Sequence, residues 1–201
     1  MKRDFEKFVR DGGGVYIFHS AENAFVGWKD YERMVGLCWR KADTGTAIRV
    51  NDDGSLARLP PGEGSGTGHG PRGNTLVTRL GDHPIHAGLP RAWLTPDMEV
   101  YYDARGPAED VSVLAYARDT KPGQGLLWPV EWTVKYGEGR VYVSVYGHVW
   151  KGDVQPPSMR CAAVQTLVPR AVQWLARRDV TIPVPGDFPG TGAVSVRGAV
   201  P

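Results

Sequence analysis

The chain has 201 residues, enough for one α/β domain with a sizeable core and too few for two ordinary domains and a linker. Lys and Arg total 24 against 22 Asp and Glu, a net charge of +2, which excludes a strong field directed at nucleic acid or an anionic membrane. Cys38 and Cys161 form no disulfide framework and no C-x-x-C spacing, and no apolar leader or roughly 20-residue apolar span is present, so a cytoplasmic protein is expected.

In chain order, the opening MKRDFEKFVR places Phe5, Phe8 and Val9 at helical spacing and predicts a helix over 3–10. A Gly turn and the apolar run Val15 to Phe18 follow, read as a strand covered on both faces. Trp28, Tyr31 and Val35 share a face of a helix over 28–35. Strands are expected at 45–50, 75–80, 98–103, 111–117, 129–135 and 140–146. In the last of these, Val141, Val143 and Val145 alternate with Tyr142, Ser144 and Tyr146, which predicts one face less deeply buried. The Gly- and Pro-rich segment 51–74 reads as one long loop without structure of its own, flexible enough to close over a ligand. A final helix over 159–177 carries Pro169, expected to kink it, and the tail 179–201 reads as extended or disordered. The domain organisation expected is therefore one domain over 1–178 and a Pro/Gly-rich tail.

Of the five histidines, His19 and His148 fall just beyond the C-terminal ends of predicted strands, the edge where open α/β sheets bind ligands. An imidazole there can exchange protons near neutral pH or ligate a metal. Taken singly, each is more commonly a hydrogen-bonded turn residue; two on one edge favour function. His69, flanked by Gly68 and Gly70, suits a loop that closes on a ligand. Pro84 argues against His83 and His86 sharing a helix face, so both read as turn residues near Asp82. Glu131, inside LLWPVEWTV, is expected to point outward from its strand, the alternative being a buried charge kept for a purpose. For Trp28, Trp39, Trp93 and Trp128 the two readings are core packing and stacking on a sugar ring. The glycines of GEGSGTGHG connect no strand directly to a helix and lack a Lys-Ser/Thr ending, so no phosphate loop is present, and Ser20 lacks the flanking glycines of a serine nucleophile elbow.

DGGGVYIFHSAENAFVGWKDYERMVG, DHPIHAGLP, DMEVYYDARGPAEDVSVLAYARD and PVEWTVKYGEGRVYVSVYGHVW occur in that order and resemble successive blocks of the ThuA-like family, named for trehalose utilisation. The resemblance covers roughly residues 5 to 178. It implies a flavodoxin-like, class I glutamine amidotransferase-like α/β sandwich tied to carbohydrate catabolism, with a small-molecule sugar as partner. In the related amidotransferases a nucleophilic cysteine follows the strand corresponding to Val15–Phe18; His19 stands there here, so glutaminase chemistry is not expected. The family pattern carries over onto His19, His148 and Glu99 as catalytic groups and onto Ser20, His69 and His83 as substrate-binding groups, while His86 lies outside it. A divalent metal is the cofactor such histidines would take. Two function classes stay open: a sugar-processing hydrolase or isomerase, and a non-catalytic sugar-binding or scaffold protein.

Against the family pattern, the chain begins without the usual first strand–helix–strand units. The strand Val15 to Phe18 is then expected to have an open edge. Such an edge would be covered by a homodimer or by the chain's own ends, or would mark an incomplete copy.

Overall fold

A computed structural model describes residues 1–199. In chain order it contains α1 (Lys2–Arg10), β1 (Gly14–Phe18), a 3-10 turn His19–Asn23, α2 (Lys29–Val35), β2 (Thr46–Val50), β3 (Leu56–Leu59), β4 (Gly68–His69) and β5 (Gly73–Arg79). A second 3-10 turn, Pro84–His86, leads to β6 (Ala92–Met98), β7 (Tyr101–Tyr102), β8 (Arg105–Gly106), β9 (Val111–Arg118), β10 (Leu127–Tyr136), β11 (Gly139–Ser144), α3 (Pro157–Arg160) and α4 (Ala162–Leu175). The central sheet is nine-stranded, with the path β1-β11-β10-β9-β5-β6; β2 branches from β10 and itself pairs with β3 and β8. This is the mixed α/β architecture expected, consistent with a flavodoxin-like, amidotransferase-like fold.

The layering follows from side-chain alternation. A Cβ on Gly139 would lie 2.1 Å from the Val9 carbonyl oxygen of α1, whereas Arg140 donates to the Trp174 carbonyl of α4 at 2.9 Å. Successive residues of β11 thus face opposite helices. Gly14 pairs with Arg140, and its added Cβ would meet the Leu175 carbonyl oxygen at 2.4 Å, so β1 alternates in phase. On the other face the Trp132 indole donates to the Val35 carbonyl at the end of α2 at 2.8 Å. The centre of the sheet is therefore sandwiched, α4 on one side and α1 with α2 on the other. Val164, Leu167, Ala171 and Leu175 of α4 are buried at helical spacing, and so are Tyr31, Met34 and Val35 of α2. Tyr142, Ser144 and Tyr146 are as buried as Val141, Val143 and Val145, which corrects the expectation of a half-exposed face: both faces are covered by helices.

Gly14 and Gly139 are required by close approach. Gly14→Ala or Gly139→Ala would force a Cβ against helix backbone and is expected to cost about 1–3 kcal/mol, read as a lowered thermal midpoint with the far-UV spectrum preserved.

Several other expectations are corrected. Segment 51–74 contains β3 and β4: the Asn51–Ser55 turn closes a β2–β3 hairpin, and His69 pairs with Tyr101. Buried Arg105 fastens this segment by donating to the carbonyls of Ser65, Gly45, Pro60 and Glu63. The run 92–98 is a strand that Pro96 hid. Leu94 N–H donates outward to Gly190, so Pro96, two residues on, has its missing donor on the same outer edge, where β5 asks nothing of it. The final helix is two, broken at Cys161, because Ala162 N–H donates to Ser195 and Arg197 N–H to Arg160. The tail is extended and docked by these bonds and by Phe188 against Trp93 at 5.6 Å. Among the described residues β1 pairs only with β11, leaving its second edge without a strand. No described helix is long and apolar enough to cross a membrane.

Candidate functional site

The parallel pairing of β1 and β11 decides where the chemistry gathers. Phe18 pairs with Ser144 at the last register position, so the two strands deliver their next residues to one sheet edge. His19 follows β1 at φ 47°, a left-handed backbone that turns the ring sharply off the strand, as a nucleophile elbow does. The chain leaving β11 brings the Val145 carbonyl and then His148. Glu99 and Tyr101 arrive from the segment after β6, and the β4–β7 pairing carries His69 alongside.

These groups touch. His19 Nδ1 lies 3.0 Å from the Val145 carbonyl oxygen, which can only accept, so Nδ1 carries the hydrogen and Nε2 presents a lone pair. His19 Nε2 is 3.1 Å from His148 Nδ1, 3.1 Å from the Tyr101 hydroxyl and 3.7 Å from Glu99 Oε2. His148 Nδ1 is 3.1 Å from Glu99 Oε2, and His69 Nε2 is 3.7 Å from the other oxygen, Oε1. His19, Glu99, Tyr101 and His148 are all buried, while the His69 side chain is 38% exposed. Burial pushes the His19 imidazole below its ordinary value, with the Val145 hydrogen bond opposing, and it pushes the Tyr101 hydroxyl upward.

The donor set fits a metal. Donor atoms about 2.1 Å from one ion stand about 3.0–3.4 Å apart in tetrahedral or octahedral geometry. His19 Nε2, His148 Nδ1 and Glu99 Oε2 are separated by 3.1, 3.1 and 3.7 Å, two within that range and the third a few tenths of an ångström beyond it, and form one cluster of buried potential ligands. Two imidazoles and one carboxylate suit zinc, iron or manganese. The Val145 carbonyl on the far nitrogen of His19 is the partner that fixes a ligating imidazole.

The cluster forms the floor of a cavity of about 480 Å³, walled by Trp39, Trp150 and Val149 and edged by Ser20, Asn23 and Arg72. Five of the six residues expected from sequence, His19, Ser20, His69, Glu99 and His148, meet here. His83 does not. Its ring packs edge-on against Trp174 at 4.9 Å and its Nδ1 accepts from Ile85 N–H, so it caps a turn at a separate surface, as the turn reading had it. Desolvation holds its imidazole down at about 4. Tyr101, Trp150, Asn23 and Arg72 were missed. For Trp150 and Tyr101 the signal lay in the chain: each is within two residues of a chosen group, His148 or Glu99.

Glu131 corrects another expectation. It is fully buried, with Oε1 2.7 Å from His86 Nε2 and Oε2 accepting from the Tyr146 hydroxyl at 3.0 Å. Glu131 pairs with Ser144 and so lies on the same face as Tyr142 and Arg140, the face covered by α4, which encloses the carboxylate. Trp93 and Trp128 are core, while Trp39 lines the cavity. Cys38 is buried with its thiol pushed up to about 12 by desolvation, and burial raises Cys161 as well, so neither supplies a thiolate.

Fold and site together define an α/β protein of the amidotransferase-like class with a histidine at the sharp turn after β1, within a two-histidine, one-carboxylate cluster. The family model for ThuA, described as trehalose utilisation, matches residues 1–175, and the chain belongs to that family. A crystal structure titled as a ThuA-like protein from Parabacteroides merdae is 32% identical, with a TM-score of 0.90 over 98% of this chain and 72% of that one. A second ThuA-like protein, from Bacteroides uniformis, shares the fold at 19% identity and a TM-score of 0.54, covering 89% of this chain and 64% of that one. No curated protein matches the chain.

Proposed function

We propose that this ThuA-family protein is an enzyme acting on a sugar or keto-sugar derivative, with a divalent metal held by His19, Glu99 and His148. The observation that carries this reading is the convergence of three buried donor atoms on one point at the base of a cavity of about 480 Å³, roomy enough for a sugar. A bound ion would act as a Lewis acid toward a sugar hydroxyl or carbonyl oxygen.

The chain's own groups supply the rest. His69 Nδ1 donates to the Gly70 carbonyl at 2.7 Å, so its Nε2 lone pair faces the cavity and is placed to take a proton from a sugar hydroxyl and return it. Trp39 and Trp150 offer ring faces to the apolar side of a pyranose, and Ser20 and Asn23 offer hydrogen bonds to its hydroxyls. His69→Gln is expected to lower kcat about 100-fold, the usual worth of a positioned base, with metal content unchanged.

The test is elemental analysis of purified protein after equilibration with zinc, manganese or iron, followed by assays of the loaded protein on disaccharides and their keto derivatives. One equivalent of metal and turnover support the reading. Sugar binding with neither metal nor turnover would make the protein a non-catalytic binding module.

A further inference from the structure

We propose that Tyr101 competes with the metal for His19: its hydroxyl caps the His19 Nε2 lone pair in the metal-free protein, and metal binding displaces it and frees it to donate into the sugar cavity. The inference rests on the metal reading above and adds a residue which that reading does not use.

Three observations assign the hydrogen bond. First, the Val145 carbonyl fixes the hydrogen of His19 on Nδ1, so Nε2 of the neutral ring can only accept. Second, two possible donors stand at 3.1 Å from Nε2, the Tyr101 hydroxyl and His148 Nδ1. His148 Nδ1 also stands 3.1 Å from Glu99 Oε2, so a second acceptor lies beside it. With its only hydrogen on Nδ1, the neutral His19 ring has none to give from Nε2, so in the bond between Nε2 and Tyr101 the hydroxyl is the donor. Third, Tyr101 cannot swing away. Its ring meets Trp39 edge-on at 5.0 Å and its backbone pairs with His69, so the hydroxyl stays where it is while its acceptor changes.

One lone pair serves one partner. An ion on Nε2 must first break the Tyr101 bond, which lowers metal affinity by the worth of that bond, about five- to tenfold in an equilibrium constant. The displaced hydroxyl is buried, so it needs a new acceptor, and the cavity that Tyr101 lines is where an oxygen of a bound sugar would lie. Metal and sugar are then coupled, each binding better when the other is present.

The experiment is a titration with Zn²⁺ alone against a chromogenic chelator, on wild type and Tyr101→Phe, with the near-UV tyrosine difference spectrum recorded at each point. Tyr101→Phe is expected to bind Zn²⁺ about fivefold more tightly, because the competitor is gone. Zn²⁺ should also perturb tyrosine absorbance in wild type and not in the variant. Unchanged or weaker binding by Tyr101→Phe, with wild type still taking one equivalent, would overturn this inference and leave the metal reading standing. A wild type that takes up no Zn²⁺ overturns both. The wild-type spectrum alone decides the displacement should the variant fold poorly.

Discussion

Glu99→Gln is expected to lower divalent-metal affinity by about 1,000-fold while leaving the fold intact. Glu99 is the only anion among the three clustered donors, and its Oε2 stands 3.1 Å from His148 Nδ1 and 3.7 Å from His19 Nε2. The amide has the same shape but is a far weaker ligand for a divalent ion. Loss of a partner hydrogen-bonded to a ligand costs 10–100-fold, so loss of a ligand should exceed that. The alternative is a cluster held together only by its own hydrogen bonds. Under that alternative Glu99→Gln would replace the carboxylate beside His148 Nδ1 with a weaker amide acceptor, and the variant would show reduced stability with no metal phenotype, because the wild type would have none. Calorimetric titration with Zn²⁺ and a thermal melt of both proteins separate the two: an unchanged titration with a lowered midpoint would reject the metal centre.

His19 and His148 could be read from sequence because β1 and β11 announce themselves. Val15–Phe18 is uninterruptedly apolar, RVYVSVYG alternates, and a residue just past such a strand belongs to the ligand edge. The sequence did not reveal that these two strands are parallel neighbours, the pairing that brings the two imidazoles to 3.1 Å. Sequence patterns report burial and period; strand adjacency is a long-range contact. His69 was chosen for a flexible loop, yet it stands on a strand of two residues held by Tyr101 on one side and by the Arg105-fastened segment next to it. Arg105 could not be recognised in that role, since nothing local distinguishes an arginine that donates to four distant carbonyls from one in solvent.

Glu131 is the converse case. An outward position on this strand is not an exposed one, because the face it shares with Ser144 lies under α4. What compensates its burial is His86, 45 residues away in sequence, within the segment whose histidines read as turn residues. That segment does form the 3-10 turn Pro84–His86, so the local reading was right and the long-range partner was invisible.

His86→Leu is expected to destabilise the protein by about 3–5 kcal/mol, the cost of leaving a buried charge without its partner, or roughly 10 °C in thermal midpoint for a chain of this size. Burial alone would push the Glu131 carboxyl up; the charge and hydrogen bond of His86, with the tyrosine hydroxyls around it, bring it below its ordinary value. In wild type the folded value therefore lies below the unfolded one. The stability it contributes is present above the ordinary carboxyl range and is lost as pH falls through the folded value. In His86→Leu burial prevails and the folded value rises above the unfolded one. Its protonated form then favours folding, so the variant should gain stability as pH is lowered from 8 to 5, a range over which this carboxyl gives wild type no change. Adding Glu131→Leu removes the stranded charge, and the double variant should recover most of the lost stability and lose the pH dependence. Urea unfolding midpoints at pH 5 and pH 8 for wild type, His86→Leu and the double variant measure this. A single variant as stable as wild type, or a double variant no better than the single, would mean that Glu131 does not carry its charge in the folded core.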